Sequence, residues 1–203
     1  MRSKKQRDRL IAFAAQHTDV AFGFGDEVWW SRLTPPALHA GCDRDPLRLF
    51  ERGVSQDDSE RKAFACYGLD LPQENQMALR FVAERPVSDV TCQYLDGITQ
   101  QHAARGKRAL ILIWDNAAWH TSQCVRQWIK THNQHVKREG GCRVLVFYVP
   151  SQSPWLNAIE PKWVHGQRAI LEPDRLLTSA ELMQRICEYY HCELLDPLAK
   201  SVC

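Results

Sequence analysis

The stretch Ala109–His120, ALILIWDNAAWH, constrains the fold more than any other part of this 203-residue chain. Its apolar run, bounded by basic Arg108 and acidic Asp115, spells a short strand buried on both faces, as in the parallel sheets of α/β proteins. Asp115 therefore falls at a strand's carboxyl end. In open α/β sheets that edge is where ligands and ions bind, because the loops there leave a crevice above a rigid sheet. Asp-Asn after a strand also starts turns and caps helices, and this stretch alone leaves both readings open.

The remaining composition bounds the answer without deciding it. A hydrophobic fraction of 44% beside 25% charged residues suits one well-packed domain and excludes a disordered chain. A net charge of +2 is too small to argue nucleic-acid binding by itself, so local clusters matter more. No apolar run is long enough to span a membrane, and the N-terminal MRSKKQRDRL lacks the apolar core of a secretion signal, so a cytosolic protein without a membrane partner is expected. The eight cysteines contain no CxxC pair. Cys187 and Cys192, with His191 between them, lack a second ligand pair for zinc, and reduced, mostly buried thiols are the expectation.

Along the chain, residues 3–16 read as a short basic amphipathic helix, and Asp19–Gly25 as a strand running through the acid pair Asp26-Glu27 into Val28-Trp29-Trp30. Successive strand side chains face opposite ways, so at most one of Asp26 and Glu27 should share a site with Asp115. Residues 33–59 form an irregular surface excursion with a short strand at Leu47–Phe50. Arg61–Leu69 and Met77–Glu84 alternate as strands joined by a polar turn, which with the first strand makes an antiparallel meander. A helix from Ser88, which can cap it, to Ala104 leads to the central strand. After Asp115, Thr121 or Ser122 can cap a helix to about His135, buried through Val125, Trp128 and Ile129, with Arg126, Lys130, Lys137 and Arg138 on its other face. Arg143–Val149 is a second all-apolar strand, reached by a crossover long enough for parallel pairing.

The second informative stretch is PSQSPWLNAIEPKW, residues 150–163. Its prolines shape a loop that opens a helix. Either Asn157 is the cap and Glu160 the capping-box acid, or Glu160 is itself the cap before Pro161. Both place a carboxylate at a helix N-terminus, which favours its charge. A final helix is capped by Thr178 and Glu181 and buries Leu182, Ile186 and Tyr189 or Tyr190.

If the first strand neighbours the central one, Asp26, Asp115 and Glu160 converge on one sheet edge. Clustered carboxylates repel, and protonation or cations must relieve them. An oxygen-only ligand set suits Mg²⁺ or Mn²⁺. Two such ions about 4 Å apart activate an attacking oxygen and stabilise a leaving one in phosphodiester displacement.

WDNAAWH at 114–120 and VPSQSPWLNAIEPKW at 149–163, preceded by GDEVWW at 25–30, resemble the catalytic domain of DDE transposases, and most of all the mariner-related group of bacterial insertion sequences. The resemblance covers about Asp19 to Leu171. It implies an α/β, ribonuclease-H-like fold with a mixed five-stranded sheet flanked by helices. It also implies two Mg²⁺ or Mn²⁺ ions held by the catalytic acids Asp26, Asp115 and Glu160. The implied reaction is DNA cleavage at transposon ends followed by 3′-hydroxyl attack on a target duplex. Asn116, His120 and Asn157 match motif positions and take supporting roles, although a structural hydrogen bond explains His120 equally well. Lys162, His165 and Arg168 are candidates for phosphate contacts, with a solvated helix face as the alternative. Trp29, Trp30, Trp119 and Trp155 could flank displaced bases, but core packing is the plainer expectation.

The implied organisation is a basic helix at 1–18, a catalytic domain at 19–175 and a C-terminal helix packed on it at 176–203. A bacterial cytoplasmic, nucleoid-associated location follows from the same resemblance. Three features depart from the family pattern. Ala158 replaces a usual proline. The 44 residues between Asp115 and Glu160 exceed the usual spacing, with the excess assigned to a surface extension at Asn133–Cys142. The family's end-recognising helix-turn-helix has no room before residue 20, which points to a catalytic half with a separately encoded helix-turn-helix partner, a truncated remnant, or an excerpt. A homodimer is a further expectation. The competing functions are a catalytically silent remnant that only binds DNA or a partner, and a nuclease acting on RNA in a hybrid.

Overall fold

The computed structural model describes residues 2–33, 37–39, 48–50, 58–150, 153–170 and 176–200. In chain order the elements are α1 (Arg2–Gln16), β1 (Val20–Ser31), β2 (Ala37–His39), β3 (Arg48–Phe50), β4 (Ala63–Leu71), β5 (Gln76–Val82), α2 (Ser88–Ala104), β6 (Ala109–Trp114), α3 (Gln123–Glu139), β7 (Arg143–Tyr148), a 3₁₀ turn at Pro154–Leu156, α4 (Glu160–Ala169) and α5 (Ser179–Tyr189). Most of the segment expected as an irregular excursion between β1 and β4, including Leu47, lies outside the described residues, as do Cys42 and Cys203.

Five strands form a mixed sheet in the order β5-β4-β1-β6-β7. The expected meander is present, β1 and β5 each pairing antiparallel with β4, while β6 runs parallel to both β1 and β7. Even-numbered β1 residues such as Phe22, Phe24 and Trp30 face a core with Ile111, Ile113, Ile159, Trp163 and Ile186, so α1, α4 and α5 cover that side. Ala21, Tyr67, Leu110, Leu112 and Trp114 face the opposite core with Tyr94, Leu95 and Val125, so α2 and α3 cover the other. β6 is buried throughout, which is why it reads as an unbroken apolar run.

β7 is the expected second apolar strand parallel to β6, and it forms the sheet's edge, with Leu145 50% exposed. The polar stretch after Asn133, expected as a surface extension, is largely exposed and takes the form of further α3 turns. α3 runs on to Glu139 and ends at Gly140, whose φ of 88° suits a glycine. Val136 and Cys142 are buried, and the Asn133 side chain both donates to the Val144 carbonyl and accepts from the Val144 amide. An amide side chain thus satisfies the open edge of β7 at Val144.

The caps divide similarly. Ser122 caps α3 by accepting from the Val125 amide, and Thr178 with Glu181 forms the expected capping box. Ser88 is the first residue of α2 rather than its cap, a position held by Val87 without a side-chain bond. Of the two tyrosines closing α5, Tyr190 is the buried one. The six described cysteines are free thiols, four of them buried.

Candidate active site

The parallel pairing of β1 with β6 ends at Phe24↔Ile113. Asp26 lies two residues on along β1, and Asp115 two residues on past the end of β6, so both acids reach the same carboxyl edge. Asp26 is paired across the sheet with Gly68 and is only 8% exposed. There burial, and then the charges of Glu160, Glu27 and Asp115, push its carboxyl up to about 8. Burial and Asp115 likewise raise Glu160 above the usual carboxylate range. The three acids expected from sequence are therefore within electrostatic reach of one another.

The loop after β6 is held by its own polar groups. The Asn116 side-chain amide donates to the Val149 carbonyl, and the Val149 amide donates to the Trp114 carbonyl at 2.8 Å. The Ala117 amide donates to Asp115 Oδ1 at 3.1 Å. His120 is fully buried, with Nδ1 at 2.5 Å from Asp115 Oδ1 and Nε2 at 2.5 Å from Glu27 Oε1. Both ring nitrogens face carboxylates, an arrangement in which both donate when the ring is protonated. Burial disfavours that charge, but the two carboxylates outweigh it and raise the His120 pKa. Burial would also raise Asp115, yet the His120 and Ala117 hydrogen bonds hold it below its ordinary value.

Glu27 is the site residue that the sequence reading passed over. The alternation holds for the two neighbours, but the conclusion that Asp115 can meet only one of them does not. Asp115 stands in the loop beyond β6, where it repels Asp26 directly and joins Glu27 through His120. Trp119 Nε1 also donates to Glu27 Oε1 at 2.8 Å. The available signal was the adjacency of Asp26 and Glu27 together with a histidine five residues after Asp115.

The α4 side is fixed by three contacts. Neither expected cap is used: the helix begins at Glu160 with Ile159 as its N-cap. Asn157 instead is buried and donates to the Gly25 carbonyl at 2.9 Å, tying the Glu160 loop to β1 beside Asp26. Its Oδ1 is buried without a partner among the described residues. Trp163 Nε1 donates to Asp26 Oδ2 at 3.1 Å. Lys162 Nζ donates to the buried Asp70 at 2.6 Å, so this candidate phosphate contact is engaged within the fold. His165 and Arg168 are exposed on α4. Of the tryptophans, Trp30 is core, Trp119 serves Glu27, and Trp29 and Trp155 are 49% and 74% exposed.

The donor set fits a hard divalent cation. Asp26, Asp115 and Glu160 offer only carboxylate oxygens, and their mutual repulsion is what a cation relieves. A tighter group, Glu27, Asp115 and His120, also has ligand atoms within 4.8 Å of one another. There the histidine's two nitrogens are committed to the two acids, which makes it a bridge rather than a ligand.

A mixed sheet in this strand order, flanked by helices on both faces, with three acids at its carboxyl edge, defines a ribonuclease-H-like domain. The family described as DDE superfamily endonuclease matches residues 51–183, well over half of the chain, and the chain belongs to that family. Asp115 and Glu160 lie inside the matched span, whereas Asp26 lies before it. Among solved structures, the Mos1 transposase paired-end complex with left transposon end is similar over 95% of this chain and 54% of its own, at 17% identity and a TM-score of 0.66. The Mos1 strand transfer complex matches over 95% and 53%, at 18% identity and a TM-score of 0.61. The catalytic domain of Mos1 mariner transposase matches over 95% and 80%, at 15% identity and a TM-score of 0.58. The chain thus spans about half the length of the full transposases it resembles, and at these identities the likeness establishes the fold. No curated protein sequence matches the chain. No helix among the described residues is long and apolar enough to cross a membrane.

Proposed function

We propose that this chain is the catalytic domain of a mariner-related transposase of the bacterial insertion-sequence type, which cuts DNA at transposon ends and joins the freed 3′-hydroxyl to a target duplex. One observation carries the reading: Asp26, delivered by a strand far in sequence from the other two acids, is buried within electrostatic reach of Glu160 and Asp115, at a cost that a proton or a cation offsets. Asp26, Asp115 and Glu160 would hold two Mg²⁺ or Mn²⁺ ions. When bound, such ions supply Lewis-acid activation of the attacking oxygen and charge stabilisation at the leaving one.

The chain's own residues supply rigidity. His120 fixes the carboxylate plane of Asp115 and screens it from Glu27, Trp163 orients Asp26, and Asn157 sets the height of Glu160 above β1. Residues 19–175 form the working domain in this reading, with 1–18 and 176–203 as helices packed upon it. It acts on nucleoid DNA in the bacterial cytoplasm, paired as a homodimer, with end recognition supplied by a helix-turn-helix partner.

The test is plasmid nicking by the purified chain in Mn²⁺. Nicking is expected, and Asp115→Asn, whose side-chain oxygen still accepts from His120 but without the charge, should abolish it with only a modest loss of melting temperature. Nicking that survives Asp115→Asn overturns the assignment.

A further inference from the structure

The exposed face of α3 carries Arg126, Lys130 and Lys137 at spacings of four and seven residues. At about 100° per residue these three side chains fall within an arc of roughly 40°, forming one stripe about 16 Å long. The only acid of the helix, Glu139, lies on nearly the opposite side. Among the described residues none of the three forms an ion pair. By contrast Lys162 is neutralised by Asp70, and Arg7 on the basic α1 by Asp8. A solvated helix face normally intersperses both signs of charge, and this one does not.

The stripe begins at the site. α3 is capped by Ser122, seven residues after Asp115, and Arg126 lies within electrostatic reach of Tyr148, whose hydroxyl donates to the His120 carbonyl at 3.0 Å. The helix then runs away from the acidic edge toward Gly140. Unpaired cations in a row, starting at a phosphodiester-cleaving edge and leading outward, match a phosphate backbone rather than a point anion.

We infer that Arg126, Lys130 and Lys137 form a phosphate track that holds duplex DNA as it leaves the acidic edge. This rests on the proposed DNA-cleaving function and adds the surface that carries the substrate. Such contacts are independent of base sequence and contribute to affinity through counterion release.

The experiment measures binding of a fluorescent DNA duplex by anisotropy across a salt series in Ca²⁺, for wild type, the triple variant Arg126→Gln/Lys130→Gln/Lys137→Gln, and a control triple Arg61→Gln/Lys62→Gln/Arg85→Gln of equal charge change elsewhere on the surface. The track variant should lose about 2 to 3 from the slope of log affinity against log salt and about tenfold or more in affinity, with its melting temperature that of the wild type. Each single substitution should lower the slope by about one. Wild type that binds and nicks, beside a track variant with unchanged slope, overturns the track and leaves the nuclease reading standing. An equal loss in the control triple, or a stripe-dependent preference for duplex RNA, also overturns it. Wild type that neither binds nor nicks overturns the nuclease reading itself.

Discussion

The Trp163 indole nitrogen donates to Asp26 across 137 positions of sequence, while its six-membered ring lies against Gly68, the cross-strand partner of Asp26. Trp163 stands three residues after Glu160 on α4, so one side chain sets the spacing between two acids of the edge. A Cβ at Gly68 would overlap that ring. Gly68→Ala should therefore displace Trp163, lower stability by about 1 to 3 kcal/mol and suppress Mn²⁺ nicking. Trp163→Phe keeps most of the packing and loses one bond, at a cost of about 1 kcal/mol or somewhat more. Urea denaturation of the two variants checks the order; a Gly68→Ala protein as stable as wild type would show that the ring is not confined.

Asp26 supplies a prediction about pH. Its carboxyl titrates near 8 in the folded protein without metal, but near its ordinary 3.8 when unfolded. The unfolded chain therefore releases the proton first, and stability falls as pH rises between those two values. Asp26→Asn removes the penalty while its amide oxygen still accepts from Trp163. At neutral pH without metal the variant should be more stable than wild type by roughly 1 to 3 kcal/mol, with the difference shrinking toward about pH 4. Added Mn²⁺ should raise the melting temperature of wild type more than that of the variant. Calorimetry with and without Mn²⁺ measures both effects, and a less stable Asn variant at neutral pH would contradict the strained-carboxylate account.

The parts of the molecule legible from sequence are those in which local pattern and tertiary environment agree. β6 is apolar throughout because both faces are covered, and Thr178 with Glu181 forms its box from four consecutive positions. The motif around Asp115 and Glu160 could be read because it is contiguous. What escaped was decided by distant contacts. Asn157 looked like a cap, since nothing local says that its amide reaches Gly25. Lys162 looked free for phosphate, since Asp70 is remote in sequence. Glu27 was set aside by strand alternation, a rule about faces that does not govern a loop arching over the sheet's edge. β7 was legible as an apolar strand parallel to β6, but not as the sheet's edge, because edge and centre strands can share one composition and only the sheet order tells them apart.

The Lys162–Asp70 pair yields a further test. Asp70 is 2% exposed in the middle of the sheet and its oxygen accepts from Lys162 at 2.6 Å. Removing the ammonium leaves a buried carboxylate uncompensated, which costs more than the pair itself contributes. Lys162→Met should lower stability by about 1 to 3 kcal/mol, discounted because the lysine is partly open to solvent. Lys162→Met combined with Asp70→Asn should recover part of that loss. A double-mutant cycle in urea reads the coupling. Loss of DNA affinity by the single variant without loss of stability would instead assign Lys162 to the DNA.

The His120 bridge makes the last prediction, and its pH window follows from two opposite shifts. The folded pKa of His120 lies above its ordinary 6.5, so its contribution is complete below about that pH and disappears as pH rises through the folded value. Asp115 lies below its ordinary 3.8, so its contribution is complete above that pH and disappears as pH falls through the folded value. The imidazolium therefore pairs with Asp115 at full strength between about pH 4 and 6.5. His120→Gln can donate to one carboxylate but neutralises neither, so the two acids then repel. The variant should be less stable than wild type by about 1 to 3 kcal/mol inside that window. The gap should narrow as pH rises through the folded value of the wild-type ring, where it loses its proton. Melting temperatures of both proteins without metal, taken from about pH 5 to 9, test this directly. A gap that stays constant across the range would mean that the ring is neutral and that Glu27 and Asp115 are held apart by packing alone.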